Sequence, residues 1–487
     1  MNSSALISEK DKRLVHAWLL IAIGAAAIAG TLAFLVAMTR TPGVRILPSE
    51  RSFHVILVGH VTFALTIWLQ AFISTVWSYV AAQAGLPLNR RVGWAGVIVS
   101  LLGAAIISVP IVLFQGVDVM NDYVPLLDTP LFFAGYVVFV AGIGITAANY
   151  LAGVLRYRRA GTNWAGASPA PTLPLTAYGM ACTAVAMLVG LSALGLATFR
   201  LGLGANGRTP FDYYEAMFWG MGHSFQYVNS GTMVVVWYAL IGLFLGQPRV
   251  NQKFAKGLFT LFAVFPFVTL VPYFVYADPM ALLQHKAWGI LLDIGLSLPI
   301  MFLGPMILVW VWRAGAKRAS PVQWLKQMPF GDPRVMAFAF SAALFAFGLY
   351  IHPAVRQGTL RTPAHYHSVV VGGVTMAFMG LAYHLLAQVD RKVVWRRVAM
   401  IQPYLFAIGI MVLVLGLLGA GTLGAPRKTY DAAVTGAAWL KPMVVMGAGA
   451  GVAAFGGALF VAVMLWSLIH RKSRRSVIKS ALAGAGD

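Results

Sequence analysis

The chain has 487 residues, of which 59% are hydrophobic and 10% charged, and its mean hydropathy is +0.78. Soluble domains carry about 25% charged residues, so this composition excludes a water-soluble globule, a disordered chain and, despite the net charge of +22, a nucleic-acid binder. The lone cysteine, Cys182, excludes a disulfide framework, a cysteine-held iron–sulfur cluster, a covalently attached c-type haem and a two-cysteine copper centre within this chain.

Apolar runs of about 20 residues cross a bilayer as helices, because the backbone must satisfy its own hydrogen bonds there. Twelve spans are predicted, over 14–39, 53–83, 93–115, 129–155, 173–198, 213–245, 257–279, 287–312, 335–354, 364–389, 398–420 and 442–469. The first follows Lys10, Lys12 and Arg13 and is too long for the apolar core of a cleavable signal. Basic residues favour the cytoplasmic side. Placing the N-terminus there puts Arg156, Arg158 and Arg159, then Arg391, Lys392, Arg396 and Arg397, then Arg471, Lys472, Arg474 and Arg475 all inside. Both termini are then cytoplasmic, and the positive balance reflects topology and contact with anionic lipid. Loop 116–128 falls outside and is acidic, with Asp118, Asp122 and Asp128; it reads as a solvated loop, with a docking surface for a basic partner as the alternative. Residues 160–172 are an ordinary Pro/Gly/Ala-rich connection. With no repeat and no long linker, residues 1–487 form one polytopic membrane domain, expected in a cytoplasmic (inner) membrane of bacterial or archaeal type.

Imidazoles inside apolar spans are costly without a partner, which makes them functional candidates. Spans two, six and ten run from outside to inside, so His60, His223, His365 and His367 share a level near the outer surface. His285 lies just beyond the outer end of span seven. His54 competes with His60 but is closer to the interface, where water satisfies it. His16 and His470 read as interfacial at inner ends, and His352 sits near the outer end of span nine. At about 100° per residue, His365 and His367 point roughly 200° apart, so they cannot chelate one ion but can face two cofactors. His223 and Tyr227, four apart, share a face. Neutral imidazole is a good ligand for haem iron or copper. The expected assembly has His60 and His367 on a low-spin haem, His365 on a high-spin haem with one open face, and His223 with His285 on a second metal opposite that face. Small gases would bind between the two metals.

These residues resemble subunit I of the haem–copper oxidase superfamily. The carrier is the run H-Y-H-S-V-V-V-G-G-V-T-M-A-F-M-G-L-A-Y-H on span ten, with Gly373, Met379 and His384 at the family's offsets. The resemblance implies an all-α bundle of twelve transmembrane helices. It also implies that Arg427 and Lys428, in P-R-K-T-Y, neutralise haem propionates through charge-assisted hydrogen bonds. Two departures stand out. Typical members have adjacent histidines after helix seven, whereas Lys286 follows His285 here, and a protonated lysine has no lone pair for a metal. Dioxygen-reducing members carry a tyrosine four residues after the helix-six histidine, and Tyr227 fits that place as the catalytic tyrosine. The segments H-S-F-Q-Y-V-N and H-K-A-W-G look more like divergent members regarded as nitric oxide reductases.

The lead expectation is reduction of nitric oxide to nitrous oxide, because the metal histidine is missing and acids in the span cores are few (Asp293, and Glu215 near an end). Reduction of dioxygen to water is the alternative, favoured by Tyr227. A haem gas sensor or a transporter is a third class. Two haems and a second metal, copper or non-haem iron, are implied. So are a small gaseous substrate, the lipid bilayer and an electron-delivering subunit containing copper or c-type haem.

Overall fold

The computed structural model describes residues 7–160, 172–202, 207–246, 250–275, 288–316, 328–430 and 438–470. Among them, twelve helices are long and apolar enough to cross a membrane: α1 (Glu9–Thr39), α2 (Glu50–Gln83), α3 (Arg90–Val112), α4 (Pro130–Arg159), α5 (Leu175–Leu201), α6 (Pro210–Leu245), α7 (Gln252–Val275), α8 (Trp288–Gly315), α9 (Pro333–Ala354), α10 (Arg361–Gln388), α11 (Arg396–Thr422) and α12 (Leu440–Ile469). They match the twelve predicted spans one for one.

Several helices start earlier than hydropathy alone suggests, and capping explains the difference. Ser8 accepts from the Asp11 amide and opens α1 at Glu9. Thr209 accepts from the Asp212 amide and Pro210 occupies the first turn of α6. Such polar first turns satisfy free amides and are invisible to a hydropathy run. Helix α10 likewise begins at Arg361, which places His365 and His367 in its second turn.

Loop 116–128 is not simply solvated. It forms an antiparallel hairpin, β1 (Val117–Val119) paired with β2 (Leu126–Asp128), and all three of its acids are engaged. Asp118 lies 2.8 Å from His54 Nδ1 and 3.7 Å from Arg51. Asp122 pairs with Arg427, and Asp128 accepts from the Tyr214 hydroxyl at 2.7 Å. The loop between α11 and α12 is tied to the start of α10: the Leu360 amide donates to Ala425 O and the Arg427 amide to Gly358 O, both at 3.0 Å. Two separate loops therefore cover the same end of the bundle.

Burial ranks the helices. The apolar windows of α10, α6 and α2 are 83%, 72% and 67% buried, the three highest values. These are the helices that carry His365 and His367, His223, and His60. The helices that carry these four histidines are the centre of the bundle, not its wall. Local π-type winding occurs at Thr62–Trp68 of α2, at His367–Thr375 of α10 and at Leu291–Leu296 of α8. A residue inserted into a helix this way rotates the faces beyond it, and such turns concentrate at functional sites.

Helices α11 and α12 approach at backbone distance. A Cβ on Gly416 would stand 2.3 Å from the Met446 nitrogen, and one on Gly449 2.2 Å from the Leu413 nitrogen. Gly416→Val is therefore expected to force the pair apart at a cost of about 1–3 kcal/mol or more. Thermal unfolding of the detergent-solubilised protein checks this, and a variant melting with the parent would disprove the close contact.

Candidate functional site

One cavity of about 1360 Å³ runs through the centre of the bundle. It exceeds the roughly 300–1,000 Å³ typical of a site for a single small molecule. His60, His223, His365 and His367 all line it, from three helices, and most of the remaining wall is apolar.

Each of these four rings meets a backbone carbonyl through Nδ1. His60 donates to Ala29 O on α1 at 3.1 Å, His223 to Trp219 O at 2.9 Å, His365 to Gly348 O on α9 at 2.9 Å and His367 to Pro363 O at 2.7 Å. A carbonyl oxygen has no proton to give, so Nδ1 must carry the hydrogen. In the neutral ring the lone pair then sits on Nε2, and a carbonyl bonded to the other nitrogen is what orients metal-binding imidazoles. The donor set fits haem iron and a further metal ion.

The two histidines of α10 part as helix geometry requires. The His365 ring lies 4.8 Å from that of His352 at the end of α9, while His367 stays bonded within α10 and stacks on Tyr366 at 5.1 Å. His54 is occupied elsewhere, held between Asp118 and the Lys428 carbonyl, the latter at 3.1 Å; it is absent from the cavity wall that includes His60. His223 sits in an aromatic enclosure, with the rings of Trp219, Trp288 and Tyr123 at 5.2, 5.6 and 5.0 Å. His384 lies further along α10 and bonds the Tyr79 hydroxyl at 2.9 Å. His285 and Lys286 fall outside the described residues. Among the described residues no three His, Cys, Asp or Glu side chains gather into a metal-binding group.

Tyr227 is fully buried, and its hydroxyl donates to Leu291 O on α8 at 2.9 Å. Its neighbour Gln226 lines the cavity instead. His352, near the outer end of α9, has its Nε2 2.9 Å from Asp293 Oδ1. The two form a polar pair beside His365, which gives Asp293 a bracing partner.

A cluster of cations closes one end of the cavity. Arg427 pairs with Asp122, and Lys428 donates to Met120 O and Asn121 O at 2.7 and 2.5 Å. Sequence inspection missed Arg40, which caps α1, lines the same cavity and donates to Pro426 O at 2.8 Å; its buried Nε has no partner among the described residues. Burial lowers Arg427, pushes Arg40 down to about 10, and, with Arg427 adjacent, pushes Lys428 down to about 7 while Glu215 opposes the fall. Three crowded cations and one orphaned guanidinium N–H are what a bound group with carboxylate arms would satisfy. Arg40 carried a usable signal, a basic residue at the outer end of span one, on the side such charges disfavour.

The fold and this cavity define an all-α polytopic membrane protein with an interior site lined by imidazoles and capped by cations. Residues 13–453 match the family described as cytochrome c and quinol oxidase polypeptide I, and the chain belongs to that family as a catalytic subunit of the haem–copper oxidase superfamily, whose members generally bind haems and a second metal. It is 26% identical over 370 residues to an uncharacterised protein of Aquifex aeolicus, covering 75% of this chain and 83% of that one. It is 24% identical over 411 residues to cytochrome c oxidase subunit 1 of Thermus thermophilus, covering 80% and 71%. In fold it resembles a haem–copper terminal oxidase solved as a dimer, with a TM-score of 0.81, 18% identity and coverage of 96% and 86%.

The Lys428 shift has a sign that can be tested. Its folded pKa of about 7 lies below the ordinary 10.5, so across that window the unfolded chain holds a proton that the folded protein has released. Native stability then rises with pH from about 7 upward. In haem-depleted protein the melting temperature of the parent, relative to Lys428→Met, is expected to climb over this range. A constant difference would place the ammonium in a solvated setting.

Proposed function

We propose that this chain is the catalytic subunit of a respiratory reductase that converts two nitric oxide molecules, two electrons and two protons into nitrous oxide and water. His60 and His367 would hold a low-spin haem, and His365 a high-spin haem. His223, with His285, would hold the second metal, copper or non-haem iron. Arg427 and Lys428, joined by Arg40, would take the haem propionates. When bound, these groups supply the electrons and hold the gas.

The observation that carries the choice of gas is the commitment of the Tyr227 hydroxyl to Leu291 O, with Gln226 on the cavity wall in its place. Reducing dioxygen takes four electrons and four protons, and a tyrosine facing the site can supply one of each. A phenol spent on a backbone carbonyl is poorly placed for that. Two-electron chemistry makes no such demand.

The chain's own residues would then serve as follows. The carbonyl partners of the imidazoles fix ring orientation before any metal arrives, so little rearrangement is needed on binding. The apolar walls exclude bulk water and admit small uncharged gases. Gln226 and Asn229, both on the wall, offer hydrogen-bonding groups on α6 beyond His223. An electron-delivering subunit, carrying copper or c-type haem, would complete the enzyme in the cytoplasmic membrane, with the cation-capped end of the cavity facing outward.

Dioxygen reduction is the second reading. Tyr227 does follow His223 by four residues, and relatives of this chain bear the names cytochrome c oxidase and terminal oxidase.

Two experiments separate these roles. His60→Ala is expected to halve the haem content and abolish the bis-imidazole spectrum, while His54→Ala keeps both haems; the reverse pattern would transfer the ligand role to His54. Tyr227→Phe should spare nitric oxide turnover in the purified complex. A loss of nitric oxide turnover on the order of 10²–10⁴, the range for a removed proton donor, would return Tyr227 to that mechanism, whereas loss of dioxygen turnover alone would favour dioxygen as the substrate.

A further inference from the structure

Tyr123 has no role in the assembly so far, yet much of the hairpin end is organised around it. It lies between β1 and β2, far in sequence from every histidine, and its side chain enters the cavity wall. Its hydroxyl stands 3.5 Å from His223 Nε2.

The placement is built. The Asp122 amide and Asn121 Nδ2 donate to the buried Glu215 of α6 at 2.9 and 3.0 Å. Lys428 grips the two preceding carbonyls and Arg427 holds Asp122. On α6 the residue before His223 is Gly222, where a Cβ would stand 2.3 Å from Tyr123 Cγ. The aromatic ring lies where a side chain at 222 would otherwise be. Trp219 packs on its other side at 5.3 Å, edge to face.

The spacing speaks to chemistry. With Nδ1–H of His223 donating to Trp219 O, Nε2 offers a lone pair towards the phenol oxygen. A separation of 3.5 Å lies beyond the roughly 2.7–3.2 Å of a good hydrogen bond. Two donors held at about 2.0–2.1 Å by one tetrahedral ion stand about 3.3–3.4 Å apart. The oxygen and nitrogen are spaced as neighbours on a common ion more closely than as partners of each other.

We infer that Tyr123 is a ligand of the second metal through its phenolic oxygen, beside His223 Nε2. This rests on the proposed role of His223 as a metal ligand. On binding, the phenol O–H bond breaks and a metal–oxygen bond forms. The proton leaves to water, and no electron changes hands. Metal uptake at this site therefore releases a proton.

The test uses the complex purified with its haems. Non-haem metal is quantified per haem, and resonance Raman spectra of the oxidised enzyme are compared with and without ring-deuterated tyrosine. The parent should show isotope-sensitive tyrosinate modes. Tyr123→Phe should keep both haems, lose those modes and lose second-metal affinity at least by the roughly 10–100-fold that even an outer-shell partner is worth. Gly222→Ala, which leaves the phenol but displaces its ring, should move in the same direction. A metal-loaded parent without tyrosinate modes overturns the inference without any variant needing to fold. So does a haem-replete Tyr123→Phe protein that retains its second metal. If the metal is lost in His223→Ala but kept in Tyr123→Phe, only Tyr123 is removed from the site; if both variants keep it, the assignment of His223 falls as well.

Discussion

Everything at the centre of this protein depends on where four imidazoles keep their protons. Each of His60, His223, His365 and His367 spends its Nδ1–H on a main-chain carbonyl. That single interaction satisfies a buried donor, fixes the tautomer and aims a lone pair. Two of the carbonyls belong to the histidine's own helix, four residues back, and two come from neighbouring helices. Ring orientation is thereby linked to helix packing: a shift of α1 against α2, or of α9 against α10, would turn one of these imidazoles. The most buried helices of the bundle are the ones that carry these rings, which suits positions that tolerate little movement.

Charge organises the capped end of the cavity as tautomers organise its middle. Burying a cation is expensive unless it is paired and hydrogen-bonded. Here Arg40, Arg427 and Lys428 are only partly compensated, by Asp122, Glu215 and a handful of carbonyls. The bonds that do exist serve a second purpose. They bind the β1–β2 hairpin and the α11–α12 loop into one lid, so that two segments about 300 residues apart, Met120 and Lys428 among them, are held in register. A group with carboxylate arms arriving beneath that lid would relieve the excess positive charge and reinforce the contact between the loops.

Most of the fold was legible in the sequence because a membrane imposes a simple rule, and twelve apolar runs of the right length became twelve helices. The histidines were legible for the same reason, since a polar ring in an apolar run stands out. What stayed hidden was whatever water-exposed stretches contribute to the interior. Tyr123 lies in a short loop that hydropathy dismisses, 100 residues before His223. Arg40 reads as one charge among several ending a span, and the union of His352 with Asp293 joins two helices whose relative rotation no single-chain pattern supplies. Loop residues come into the site by tertiary contacts, and those leave no periodic trace.

Helix α6 shows where periodicity runs out even inside a span. Taking His223 as the reference direction, Tyr227 lies about 40° to one side and Gln226 about 60° to the other. Both count as sharing the histidine's face, so spacing alone cannot say which one meets the cavity. The structure turns α6 so that Gln226 lines the space and Tyr227 leans towards α8, where Leu291 O receives its hydroxyl and Gly295 makes room, a Cβ there standing 2.5 Å from the phenol oxygen. That receiving segment is itself π-wound, over Leu291–Leu296, and a π-turn frees a carbonyl from the regular ladder. A main-chain irregularity on one helix thus fixes which residue of another faces the site.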